Sequence, residues 1–114
     1  MDTNSNPANA NASPIACKLG GLNDGRLQHQ VHRWNALKSQ IREVAETPAG
    51  YAFRFDSQPE ILMRITEIIT FEMQCCPFLR FEIEIAEDGG PTWLRLSGRE
   101  GVKEYLATLL AVEG

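Results

Sequence analysis

Apolar residues along the chain follow two spacings, one helical and one extended, and the switches between them mark out the elements. From about Asp24 to Ala45, Leu27, Val31, Trp34, Leu37, Ile41 and Val44 recur every three or four positions. That spacing lines one face of a helix and predicts a long first helix. Thr47-Pro48-Ala49-Gly50 breaks it, after which Tyr51, Phe53 and Phe55 alternate with Ala52 and Arg54 as in a half-buried strand. Ser57-Gln58-Pro59-Glu60 then joins a capping serine, an early proline and a glutamate at the capping-box position. Ile61, Leu62, Ile65, Ile68 and Ile69 follow as the stripe of a second helix. It should stop near Cys76, because Pro77 disfavours the α conformation in the residue before it and has no N–H to donate to the preceding turn.

Beyond Pro77, Leu79, Phe81, Ile83 and Ile85 alternate with Arg80, Glu82, Glu84 and Ala86. Glu87-Asp88-Gly89-Gly90 supplies a hairpin loop to a partner strand over Thr92 to Leu96. Ser97-Gly98-Arg99-Glu100-Gly101 reads as a turn and helix start, and Val102, Tyr105, Leu106, Leu109 and Leu110 mark a last amphipathic helix. At the other end, residues 1–14 are rich in Asn, Ala and Ser with too little apolar surface to order themselves, which predicts a flexible arm. Ile15, Cys17 and Leu19 alternate with Ala16 and Lys18 as a short extended run that Gly20-Gly21 ends. The elements predict a single α+β domain over residues 15–114, a two-layer fold with a small, mainly antiparallel sheet and about three helices packed on one face. No internal repeat interrupts it.

Composition narrows the class of protein more than its function. With 114 residues, 43% apolar and 23% charged, the chain has the balance of an ordinary globular domain. Eleven basic residues against fifteen acidic ones give a net charge of −4, and the basic residues are scattered. Direct binding to a nucleic-acid backbone is therefore disfavoured. No apolar run is long enough to span a membrane, and the first residues carry no signal-peptide pattern. Three cysteines is an odd count that fits reduced thiols in the cytoplasm better than a disulfide framework.

Chemistry concentrates at the end of the second helix. On a wheel of about 100° per residue, the stripe of Ile61, Ile65 and Ile68 continues through Glu72 to Cys76, with Cys75 on one flank and Met73 on the other. A carboxylate and two thiols thus converge on one turn. Adjacent cysteines in a continuous helix point about 100° apart, so joint action requires the last turn to unwind, and Pro77 gives it reason to. Cys17, Glu72, Cys75 and Cys76 form a candidate site for a soft metal ion of the Zn, Cu(I) or Hg/As class, since thiolates select such ions and a carboxylate can complete the shell. The same residues fit a thiol-dependent redox or detoxifying enzyme in which Cys76 attacks and Cys75 or Cys17 resolves. They also fit buried cysteines that only pack, in an interaction module able to form a homodimer. A disulfide between Cys75 and Cys76 would need a strained small ring, which makes Cys17 the better partner. The helix C-terminus and Glu72 both raise a thiol pKa, which argues against a catalytic nucleophile. His29 and His32 fall on the polar face of the first helix, and Trp34 falls on its apolar stripe.

These residues carry a resemblance. Ala16-Cys17-Lys18-Leu19, Gly50-Tyr51-Ala52-Phe53-Arg54-Phe55, Glu72-Met73-Gln74-Cys75-Cys76-Pro77-Phe78-Leu79-Arg80-Phe81 and Leu94-Arg95-Leu96-Ser97-Gly98 are similar to stretches of small bacterial proteins with a Glu-x-x-Cys-Cys-Pro-Phe motif. The likeness runs over roughly residues 15 to 110. Related stretches occur as tails on regulators of the mercury-responsive class, and the resemblance implies metal sensing or handling by that association. The family carries arginine after the motif glutamate, where this chain has Met73. Binding of a soft metal or metalloid ion by a cytoplasmic protein, without a nucleic-acid or membrane partner, is the leading expectation taken to the structure, with the thiol-dependent enzyme and the interaction module as its alternatives.

Overall fold

The computed structural model describes residues 25–110. The proposed arm 1–14 and the extended run 15–19, with Cys17, lie outside the described residues. Within them the chain runs α1 (Arg26–Lys38), β1 (Glu43–Thr47), β2 (Gly50–Phe55), α2 (Pro59–Cys75), β3 (Arg80–Ile85), β4 (Thr92–Ser97) and α3 (Val102–Leu110). The strands form one antiparallel sheet in the order β1-β2-β4-β3. The fold is α+β, in two layers, as the element order predicts.

One sheet face makes half of the core. Tyr51, Phe53 and Phe55 on β2 stand beside Leu96, Leu94 and Thr92 on β4 in direct register, and all six are buried. The helices cover them with Trp34 and Leu37 from α1, Ile61, Ile65 and Ile68 from α2, and Val102, Leu106 and Leu110 from α3. Fully burying a side chain of this size contributes roughly 1.5–3 kcal/mol, so the two central strands and the three helices form one cooperative unit. On the opposite face, Arg54 pairs with Glu43 at 2.9 Å and Arg95 with Glu84 at 2.6 Å. These exposed pairs add little stability.

The first helix is shorter than its spacing suggests. It ends at Lys38, and the segment expected to complete it is the edge strand β1. Arg42 N–H bonds the Arg54 carbonyl at 2.7 Å, and Val44 pairs with Phe53. Ile41 and Val44 continue the three-residue step only by coincidence of a half-buried loop residue and a strand residue. Thr47-Pro48-Ala49-Gly50 is consequently a hairpin turn and not a helix stop. Val31, placed by spacing on the apolar stripe, is 52% exposed, and the buried face of α1 is Gln30, Trp34 and Leu37.

The α2 start also differs from the capping-box expectation. The N-cap is Gln58, without a side-chain cap bond. Ser57 instead donates its hydroxyl to the Gly90 carbonyl at 2.6 Å and lies 2.6 Å from the Thr92 hydroxyl. The β3–β4 hairpin thus takes the polar group that would have capped the helix. Pro59 at the first helical position, with its φ already set, and Glu60 in the first turn favour initiation instead.

Gly50 is required by approach. A Cβ there would run into the Leu96 carbonyl and the Ser97 Cα of β4. Gly50→Ala is therefore expected to destabilise the domain by about 1–3 kcal/mol through forced backbone displacement, read as a lower urea midpoint with an unchanged slope.

Candidate functional site

Glu72 lies in the contact between α1 and α2 and is 4% exposed. A carboxylate in that position costs several kcal/mol unless donors meet it, and α1 supplies two. Gln30 Nε2 reaches Glu72 Oε2 at 2.7 Å and Trp34 Nε1 reaches the same oxygen at 2.9 Å. Gln30 Nε2 also donates to the Ile68 carbonyl at 3.1 Å, and its Oε1 accepts from Arg33 Nη1 at 3.1 Å. The arginine thus orients the glutamine and leaves the carboxylate to neutral donors. Glu72 Oε1 is buried and has no hydrogen-bond partner among the described residues.

The α2 terminus brings sulfur to this carboxylate. Cys75 is the last helical residue, and Cys76 leaves the helix at φ −130°, ψ 69° while its N–H still bonds the Glu72 carbonyl at 2.6 Å. Leu79 N–H then closes a turn onto the Cys76 carbonyl at 3.1 Å. This departure removes the wide angle between neighbouring helical side chains and brings the Cys75 and Cys76 sulfurs to 3.7 Å. Both residues are buried, at 1% and 2% exposed. Cys76 is a free thiol, whereas Cys75 is disulfide-bonded. The cysteine count favours reduced thiols; Cys76 is one and Cys75 is not. No two cysteines among the described residues are within bonding distance of each other.

The remainder of the motif positions a third group. Phe78 is buried and meets the Tyr105 ring edge to face, with centroids 5.2 Å apart at 86°. That contact holds the Tyr105 hydroxyl 3.6 Å from Cys76 Sγ. Burial pushes the Cys76 thiol up to about 12, the charge of Glu72 pushes the same way, and the Tyr105 hydroxyl opposes them. Tyr105 is itself raised, first by burial and then by its hydrogen bond to Cys76. Arg80 lies away from this cluster, 72% exposed and 3.8 Å from Glu82.

Of the four residues proposed as ligands, Glu72, Cys75 and Cys76 come together, and Cys17 lies outside the described residues. Among the described residues, no group of three or more His, Cys, Asp or Glu is placed to hold a metal ion. His29 and His32 are exposed on α1 as expected. Gln30 and Tyr105 were not among the candidates. Gln30 had a signal, since it precedes Trp34 by four and Leu37 by seven, so one polar residue interrupts each of two stripes that face each other. Tyr105 had none, because only the packing of α3 brings it to α2. No described helix is long and apolar enough to cross a membrane. The chain matches no protein family, no curated protein and no solved structure.

Two predictions come from this geometry. Trp34→Phe keeps the apolar bulk and removes one of the two donors to a buried carboxylate, so chemical unfolding should show a loss of about 1.5–3 kcal/mol. The second concerns pH. Cys76 holds its proton in the fold to about 12 against an ordinary value of 9.0, so between those values the unfolded chain binds fewer protons than the native one. Stability should be full below pH 9 and fall as pH rises toward 12. Cys76→Ser, which cannot titrate there, should make that fall shallower, most clearly between pH 9 and 10, with Tyr105, also raised from its ordinary 10.0, keeping part of it above pH 10.

Proposed function

We propose that the protein is a thiol–disulfide exchange protein, with Cys76 as the resting thiol, Cys75 as the disulfide sulfur and Glu72 as proton acceptor. One observation carries the reading: a free thiol lies 3.7 Å from a sulfur already in a disulfide, near a buried carboxylate with one oxygen that has no hydrogen-bond partner among the described residues. In the exchange, the Cys76 proton passes to Glu72 and the thiolate attacks the outer sulfur of the Cys75 disulfide, since attack on Cys75 itself would form the strained ring of adjacent cysteines. The S–S bond to Cys75 breaks, an S–S bond from the former partner to Cys76 forms, and the displaced Cys75 thiolate takes the proton from Glu72. One disulfide and one thiol stand on each side, so no external oxidant or reductant is consumed. Burial of both sulfurs favours this internal step over attack on a large substrate. The charge that receives the proton also disfavours the thiolate, which keeps the exchange slow at rest. In a cytoplasmic setting, where small thiols are abundant, the Cys75 disulfide is a transient state and its relocation the response.

A second reading belongs to the reduced protein. Once Cys75 is reduced, it can join Cys76 and the unpartnered Glu72 Oε1 in capturing a soft ion of the Zn, Cu(I) or Hg/As class. The unpartnered oxygen favours it, and it requires rearrangement because no described cluster is already set as a metal site.

Peptide mapping without reduction, after alkylation of the protein in denaturant, tests the first reading. Cys76 should carry the alkyl label and Cys75 a disulfide, with the linked peptide identifying its partner. A brief thiol pulse should then yield a Cys76-linked disulfide, at least about 10-fold more slowly in Glu72→Gln. A disulfide that never moves to Cys76, or a Cys75 found free under oxidising conditions, overturns it. Native mass spectrometry of the reduced protein with Zn(II), Cu(I), Hg(II) and As(III) tests the second, which stoichiometric uptake lost in Cys75→Ser supports and no uptake removes.

A further inference from the structure

The sheet has an edge that the described helices leave uncovered. Among the described residues, strand β3 lies at one end of the order and pairs on one side only, with β4. Its core-side residues Phe81, Ile83 and Ile85 are in register with Leu96, Leu94 and Thr92. The three β4 residues are at most 1% exposed, yet Ile83 is 44% and Ile85 56% exposed. The apolar layer therefore continues beyond the helices and ends in solvent.

The backbone of β3 is open along the same line. Ala86 N–H bonds the Pro91 carbonyl, and hydrogen-bonded positions alternate along an antiparallel ladder. Glu84, Glu82 and Arg80 consequently bond toward β4, while Phe81, Ile83 and Ile85 turn their N–H and C=O groups to the free edge. Edge strands are usually protected by a proline, a bulge or an inward-pointing charge. The β3 sequence Arg-Phe-Glu-Ile-Glu-Ile has no proline and directs its charges to the other face.

We propose that β3 pairs antiparallel with β3 of a second copy of this chain, joining two four-stranded sheets into one of eight strands. Charge and side-chain matching both point to a second copy. With the two-fold axis at Glu82, Arg80 of each copy lies opposite Glu84 of the other, giving two opposite-charge cross-strand pairs. The same register places Phe81 opposite Ile83 on the core face and uses the outward N–H and C=O groups of both. The two Glu82 side chains then meet at the axis, the one like-charge contact in the register. An isologous contact of this kind closes as a dimer and leaves no free β3 edge.

Sedimentation of the full chain across a wide concentration range tests the proposal. The expected mass is twice 12.7 kDa, falling to the single-chain value in Ile83→Lys with an unchanged circular dichroism spectrum. Glu82→Lys supplies a readout specific to the register. Mixed with the unaltered chain, it turns the repulsive contact at the axis into an attractive one, so mixed dimers should exceed the statistical half share expected of random pairing. A monomer at all concentrations, a dimer unaffected by Ile83→Lys, or random mixing with Glu82→Lys overturns the proposal. So does slow hydrogen exchange at the Ile83 and Ile85 amides of a monomer, which would mean that another segment of the same chain covers the edge.

Discussion

Glu72 is held inside the helix layer by hydrogen bonds that only one placement of α1 can provide. Gln30 and Trp34, one turn apart, converge on a single carboxylate oxygen. An apolar contact tolerates sliding and rotation, whereas two donors on a buried charge do not, because losing either leaves it underpaired. The pair thus fixes the rotation of α1, turning Gln30, Trp34 and Leu37 inward and Val31, His29 and His32 toward solvent. It also holds the last turn of α2, from which Cys75 and Cys76 project.

The Cys-Cys-Pro-Phe segment extends this constraint to a third element. Pro77 ends the helix, Cys76 takes a backbone conformation outside it, and the sulfurs approach each other. Phe78 packs on Tyr105, so α3 supplies a hydroxyl to the thiol. The cluster is therefore built at a meeting of two helices and a turn, with each group placed by packing. Its environment favours a protonated Cys76, which distinguishes the site from that of an activated cysteine nucleophile.

The sheet distributes burial unevenly, and the unevenness follows from its strand order. β2 and β4 occupy the centre and bury their apolar faces, while β1 and β3 lie at the edges. Val44 on β1 and Ile83 and Ile85 on β3 have the same alternating pattern as their central neighbours but remain exposed. The two edges are not equivalent. β1 sets Glu46 on the core side, in an ion pair with Lys103, whereas β3 sets only apolar residues there.

Local patterning determined β2, α2, the β3–β4 hairpin and α3, because their periodicities run uninterrupted between strong turn signals. It also placed Glu72, Cys75 and Cys76 on one turn, since an isoleucine stripe and a proline leave few alternatives. It misplaced the end of α1, because Ile41 and Val44 keep a helical step through a segment whose strand character depends on a partner, Phe53, nine residues beyond Val44. Ser57 likewise has the identity of a helix cap, but a distant hairpin offers it a better acceptor. The donors to Glu72, the hydroxyl near Cys76 and the exposure of Ile83 and Ile85 were decided by the tertiary structure. Each depends on which surfaces meet across the layers, and residue spacing within a single element contains no information about the surface that will lie opposite.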